Sequence, residues 1–466
     1  MVTPGSDWHR LQATIDGDVV LAPEPTTFNA RFDHVRPEAV VQCTSPADVA
    51  ATLSFVRRHE LPFVVRSGGH CFAGHSTSTG LVLDVSPMDR VLPQDGGLVA
   101  VGAGARLGAI YDRLESDGRA LPGGTCPSVG IGGLALAGGL GVLGRRYGLT
   151  SDQMISADLV LADGSRVTCD DSRDPDLFWA LRGGGTAGFG VVTSFTFRTV
   201  PAPYALDFHL AWDFDRALAA VEAWQTWAPS APDELAASLK LIAGGDPRQP
   251  PTVNVYGVLQ VGDTERPGLV DDLCDLVGAD PVWRWSSTLP FARTRQMWAG
   301  LPPPGVAFDD LGSTTAVPRP WMVARSEFFR RTLPTSVVES LLDELTRDRL
   351  ARQERELDFM PWGGAYNRVD ADATAFVHRD ERFQLKHSAT AGPDGPAEVK
   401  EGVHAFVRRS WELAHPYGSG GVFPAFPDRD LPQPAEAYYG ANLPRLRAVK
   451  ARLDPDGLFR IPDGPT

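Results

Sequence analysis

Lysine is nearly missing from this chain of 466 residues: Lys240, Lys386, Lys400 and Lys450 are the only four among 44 basic residues. With 48 glycines and 39 prolines, that scarcity points to a GC-rich bacterial genome and carries no message about thermostability. Cysteine is also sparse. Cys43, Cys71, Cys126, Cys169 and Cys274 are odd in number and show no CxxC spacing, which disfavours a disulfide framework and a zinc site. No Asn-x-Ser/Thr acceptor occurs. No apolar run reaches the roughly 18 residues that a membrane-spanning helix needs. The first residues, MVTPGSDWHRLQATIDGDVV, lack a charged head followed by an apolar stretch, so no secretory signal is read and the expected location is cytoplasmic. Net positive charge is absent too. At −14 the chain is a poor partner for nucleic acid, whose phosphates require clustered cations.

What is present suits a soluble enzyme of two parts, since single cores stop growing near ~250–300 residues. The first 201 residues read as short strands and helices with glycine-rich joints. Helices are expected over 47–60 and 105–116, and strands over 61–65, 81–85, 97–102, 155–161 and 191–198. Residues 123–148 hold ten glycines in 26 positions, too many for any regular element. After Pro201-Ala202-Pro203 the texture changes. Amphipathic segments at 215–227 and 334–348 mix with alternating strands at 252–261, 357–362 and 383–387. That mixture predicts antiparallel sheet backed by helices. Nine of the eleven tryptophans lie between Trp212 and Trp411, as core packing or as the wall of an aromatic pocket.

Two glycine clusters carry chemistry. Ser67-Gly68-Gly69-His70 with Gly74-His75-Ser76 is one, and Gly130 to Gly141 is the other. Glycine lets main-chain N–H groups converge on a phosphate, so the pair points to a dinucleotide. The nearest Rossmann-like run is Gly102-Ala103-Gly104-Ala105-Arg106-Leu107-Gly108, whose third glycine stands one residue late. A nicotinamide-binding domain is therefore a weak alternative. A GxxxxGK[ST] loop is absent, which removes P-loop hydrolases.

Five ordered segments decide the reading: VVRSGGHCFAGHS, GGTCPSVGIGGLALAGGLGVLGRRYGLTSD, DLFWALRGGG, FGVVTSFTFR and YYGANLPRLRAVKARLDPDGLF. Together they resemble the berberine bridge enzyme-like oxidases, a branch of the vanillyl-alcohol oxidase (PCMH-type) flavoproteins. The resemblance is strong over most of residues 20–200 and the last 30, and thinner between. It implies an α+β fold with a two-part FAD-binding domain, residues 1–201 plus 425–466. An α+β substrate domain with an antiparallel sheet, residues 202–424, would lie between them. It further implies FAD bonded through its 8α carbon to His70 and through C6 to Cys126. Flavin contacts are implied from Arg66, Ser67, Gly68, Gly69, Cys71, Gly74, His75 and Ser76 in the first segment. The second would add Gly124, Val129, Gly130, Gly132, Gly133, Gly138, Gly139, Gly141 and Tyr147. Gly190, Val192 and Asn442 come from the later ones. The resemblance also implies, from the small Val129 three residues after Cys126, dioxygen as acceptor and peroxide as product.

For catalysis the resemblance places a tyrosine of the YYGxN segment over the ring: Tyr438 first, Tyr439 second. Gln384 and Lys386 alternate on one face of an expected strand; the resemblance implies a Gln, and sometimes a Lys, on this strand, and here Lys386 stands where the Gln is expected. A nearby ammonium favours a phenolate, so Lys386 is expected to activate Tyr438; the alternative is a solvated strand-edge charge. Other departures are Ala137 in the central glycine loop, Gly188 and Gln153 in place of asparagines, and Cys71 in place of serine. The expected activity is oxidation of an alcohol, hemiacetal or amine of a small molecule, a secondary metabolite or a carbohydrate. A dehydrogenase passing electrons to another acceptor and a non-catalytic flavin-binding protein are the alternatives.

Overall fold

Apolar runs without alternation, such as Ala39–Gln42 and Leu81–Asp84, suit strands covered on both faces. In the computed structural model, which describes residues 5–24, 26–260, 268–306, 319–461 and 464, these two strands pair in parallel, and Phe63–Arg66 pairs in parallel with Leu81–Asp84. Asp18–Leu21 adds an antiparallel edge. Helix Pro46–His59 opens with Pro46 after Ser45, whose side chain accepts from the Asp48 N–H, and closes on Glu60 in the left-handed region, a normal start and stop.

The strand Val191–Arg198 does alternate, burying Phe195 and Phe197 while Arg198 faces out. It lies at the middle of a five-stranded antiparallel sheet, between Leu98–Gly102 and Met154–Val160, with Val91–Gln94 and Arg166–Cys169 at the edges. Leu98–Gly102 is thus antiparallel to both neighbours, and a Cβ on Gly104 would sit 2.0 Å from the Val85 carbonyl oxygen. A Rossmann unit needs a parallel strand and a glycine turn open to a ligand. Neither condition holds, so the nicotinamide alternative falls.

The middle of the chain forms a seven-stranded antiparallel sheet in the order Trp283–Pro290, Tyr204–Trp212, Thr252–Gln260, Leu235–Ala243, Gln353–Pro361, Phe383–Ala391, Trp321–Phe329. Its period of two splits the side chains. Leu239, Leu241, Leu357, Phe359, Phe383 and Leu385 join a core beneath helices Ala217–Ser230, Thr335–Thr346 and Ala397–Ala414. The opposite face carries Lys240, Asp358 and Lys386, consecutive partners across three strands. Of the tryptophans, Trp212, Trp224 and Trp227 pack in that core. The expected strand at 252–261 runs to Gln260, and Val261 lies outside the described residues.

Residues 123–148 depart from expectation. They contain two short helices, Ile131–Leu136 and Gly144–Tyr147. Glycine is used in the first for close packing: a Cβ on Gly132 would meet the Ala103 carbonyl oxygen at 2.8 Å. Helices Pro434–Tyr439 and Leu443–Leu453 return to the beginning of the chain. Tyr438, Tyr439, Leu443, Leu446 and Val449 share a core with Leu53, Leu83, Val101 and Phe195. Among the described residues no helix is long and apolar enough to cross a membrane.

Candidate functional site

The parallel strand Phe63–Arg66 ends at the first glycine loop, and the second loop is pressed against it. A Cβ on Gly68 would lie 2.2 Å from the Gly130 nitrogen, and one on Gly130 would lie 2.3 Å from the Gly68 nitrogen. Only two glycines allow that main-chain approach. Ser67 braces the contact by donating its hydroxyl to the Ala103 carbonyl at 2.7 Å. The joined loops form one wall of a cavity of about 590 Å³. The charged row of the large sheet and helix Pro434–Tyr439 supply other walls.

His70 and Cys126 both face this cavity. The His70 ring stacks on Phe28 with centroids 3.8 Å apart. Burial lowers its pKa to about 4, so near neutral pH the imidazole is uncharged and has a lone pair to share. Burial raises the pKa of Cys126, and the ammonium groups of Lys386 and Lys240 oppose that rise. The Cys126 side chain has accessible surface. His75 is likewise lowered to about 4 by burial, then by Arg429. Burial raises the Cys71 thiol, against the pull of the His75, Ala73 and Gly74 N–H groups.

Ser67, Gly68, Gly69, Cys71, His75, Ser76, Gly124, Val129, Gly130, Gly132, Gly133, Gly139, Gly141, Gly190 and Val192 all line the cavity, as do Tyr438, Tyr439 and Lys386. The Ser76 hydroxyl is buried with no hydrogen-bond partner among the described residues. A narrow wall of main chain, a neutral imidazole and a spare hydroxyl fit a flavin dinucleotide.

Six expected site residues point elsewhere. Arg66 is spent on a buried ion pair with Asp84 at 2.7 Å. Gly74 packs on the Phe32 ring, and Gly138 on Phe376. Tyr147 packs beside Val142 and Leu143, and its carbonyl accepts from Gln153 at 2.6 Å. The Asn442 amide donates to the carbonyls of Ala371 at 2.7 Å and Thr374 at 3.1 Å. Gln384 is fully buried, and neither of its amide atoms has a hydrogen-bond partner among the described residues.

Lys386 is no solvated edge charge. Its strand is internal to the sheet, and its ammonium contacts Asp358 at 3.1 Å and Glu356 at 3.2 Å. Lys240 meets the same two carboxylates at 2.5 and 3.2 Å. Glu356 and Asp358 raise the pKa of Lys386, outweighing the larger single effect of burial. Its charge is therefore already neutralised by carboxylates, which weakens its expected pull on Tyr438. The Tyr438 hydroxyl accepts the main-chain N–H of Asp428 at 2.9 Å.

Lys240, Asp358, Trp298, Met360 and Phe426 line the cavity as well without having been singled out from sequence. Lys240 had a signal, being one of only four lysines and sitting mid-strand among apolar neighbours.

Comparison with known proteins agrees with this geometry. Residues 37–170 match the family model described as FAD binding domain, and residues 422–464 match berberine and berberine like. The chain is 30% identical over 460 residues to YgaK of Bacillus subtilis, an uncharacterized FAD-linked oxidoreductase, with 96% of each chain covered. It is 30% identical over 458 residues to a chitooligosaccharide oxidase of Gibberella zeae, covering 94% of this chain and 88% of that one. The solved structure of Physcomitrella patens BBE-like 1 superposes with a TM-score of 0.85 at 24% identity, covering 98% of both chains, and shows the same fold. The α+β, PCMH-type architecture expected from sequence is the one found, and this chain belongs to the berberine bridge enzyme-like family of FAD-linked oxidoreductases.

Proposed function

We propose that the protein is an oxidase that removes two electrons and two protons from an alcohol, hemiacetal or amine of a small molecule, with FAD bonded to His70 and Cys126. FAD, held by these residues, would supply a two-electron acceptor for the hydride, with dioxygen as the final oxidant and hydrogen peroxide as the product. The observation that carries this reading is that neutral His70, Cys126 and Tyr438 face one cavity. Imidazole and thiolate are the nucleophiles that form stable bonds to an electron-poor ring.

The chain's own groups take the remaining tasks. Tyr438 accepts the substrate's hydroxyl proton, with Tyr439 as the neighbour able to substitute for it. A phenol titrating near ~10 must be polarised for that work, and an N–H donor such as that of Asp428 favours the phenolate. Lys386 and Gln384 act from the sheet, Lys386 as part of the charged row and Gln384 as packing behind it. Val129, being small, leaves room for dioxygen to approach. In this reading residues 1–201 with 425–466 hold the flavin and 202–424 cover it.

For the substrate, a secondary metabolite is the first reading from sequence. A carbohydrate is favoured by the resemblance to the chitooligosaccharide oxidase and by the polar row of Lys240, Asp358 and Lys386 beside Trp298. The deciding measurement is intact mass under denaturing conditions for the wild type, His70→Ala, Cys126→Ala and the double variant. The reading requires one FAD retained in all but the double variant, and peroxide release in air. A wild-type chain that sheds its flavin on denaturation overturns the two attachments.

A further inference from the structure

The loop of residues 421–430 touches three parts of the site. Phe426 stacks on Phe72, two residues from His70, with centroids 5.3 Å apart. Arg429 donates through Nε to the Ala73 carbonyl at 2.6 Å. The Asp428 N–H meets the Tyr438 hydroxyl at 2.9 Å. The last contact depends on a small turn. The Asp428 carboxylate accepts the Asp430 N–H at 2.9 Å and pairs with the Arg325 guanidinium. Arg325 also donates to the Asp430 carbonyl at 2.7 Å. Arg325 and Asp428 are both nearly inaccessible, and the Arg325 guanidinium carbon lies over the Trp411 ring, 4.3 Å from its centroid. A planar guanidinium offers several donors in fixed directions, so one side chain from the sheet clamps both ends of the turn.

From this geometry we propose that Arg325 is a positioning residue for the oxidation: it locks the 428–430 turn so that the Asp428 N–H is aimed at the Tyr438 oxygen, which selects Tyr438 over Tyr439 as the proton acceptor. The inference rests on the reading of Tyr438 as the base. In that step the substrate O–H proton passes to the Tyr438 oxygen. The C–H electron pair leaves as hydride to the proposed flavin, and a C=O bond forms. A main-chain N–H cannot titrate, so it favours the phenolate at every pH. On the loop side the surrounding charges are Arg325, Asp428, Arg429 and Asp430. Beneath the helix, the His378 ring meets the Tyr438 carbonyl at 3.1 Å and is kept neutral by burial, with its pKa lowered to about 4. Across the cavity stand Lys386, Cys126, His70 and His75.

The test is titration of the Tyr438 ring carbon by NMR in protein labelled at the eight tyrosines, assigned with Tyr438→Phe, beside the pH profile of kcat/KM. Arg325→Met is expected to raise the Tyr438 midpoint by one unit or more. The alkaline-rising limb of kcat/KM should move with it, lowering the rate at least about tenfold below both limbs. Arg325→Lys should recover part of the shift.

Asp428→Asn separates aim from charge. Removal of a negative charge alone lowers the midpoint, whereas a loosened turn raises it, and the rise is expected. Coincident Tyr438 titrations in wild type and Arg325→Met overturn the proposal, as does a fall in Asp428→Asn. If Arg325→Met does not fold, Asp428→Asn decides. Because the NMR titration needs no turnover, a wild type without oxidase activity overturns the functional reading separately.

Discussion

Gly68 and Gly130 touch through their main chains, each standing where a Cβ on the other would lie within 2.3 Å of a backbone nitrogen. That contact joins the His70 loop to the Cys126 loop, so it sets the spacing of the two proposed attachment points. Gly68→Ala or Gly130→Ala forces backbone to move, at a cost of about 1–3 kcal/mol. A lower denaturation midpoint and less flavin absorbance per chain are expected in either variant. Unchanged midpoint and flavin content would show that the loops are not held by this contact.

Acid should destabilise the protein through its buried histidines. His75, His209 and His378 are all lowered from 6.5 to about 4, mainly by burial. The unfolded chain then binds more protons than the native one, so stability is full above pH 6.5 and is lost as pH falls towards 4. One such shift amounts to roughly 3 kcal/mol. His209→Gln should flatten the fall of the urea midpoint over that window, and a slope identical to wild type would remove His209 from the account. Asp207 works with the opposite sign. Burial raises it to about 7, so its contribution is full below the unfolded value of 3.8 and is lost as pH rises through 7.

Arg379 and Asp152 form a two-pronged pair at 2.7 and 2.9 Å, both nearly inaccessible. It fastens the segment before the strand Phe383–Ala391 to the turn after Gly148. Arg379→Met leaves the carboxylate buried and uncompensated, which typically costs ~3–5 kcal/mol. Arg379→Met with Asp152→Asn should cost clearly less than the sum of the single changes in chemical denaturation. Additive costs would mean the two side chains do not act together.

Tyr438→Phe removes the proposed proton acceptor while keeping the ring. Flavin reduction by substrate, followed in stopped flow without oxygen, should slow by about 10²–10⁴-fold with flavin content unaltered. Tyr439→Phe should slow it far less. The reverse order would move the base to Tyr439.

Much of the site was legible in the sequence because it is made of local chemistry. Glycine-rich loops fold through conformations that only glycine adopts freely, so the two clusters alone point to a dinucleotide, and the resemblance of the segments around them singles out His70 and Cys126. Alternation with period two likewise placed Lys386 and Gln384 on the same face of one strand. Tertiary structure decided what those side chains touch. The row of Lys240, Asp358 and Lys386 exists only because three strands distant in sequence pair in one register, and a one-residue slip of any of them would turn its member into the core. Arg66 and Asn442 were expected at the flavin, but parallel pairing sets Arg66 beside Asp84, and the returning C-terminal helix gives Asn442 the carbonyls of Ala371 and Thr374. The clamp of Arg325 on Asp428 spans about a hundred residues, and only the packing of the sheet against the 421–430 loop brings it together. Short-range conformational rules wrote the loops, and long-range burial of charge and hydrogen-bonding groups chose their partners.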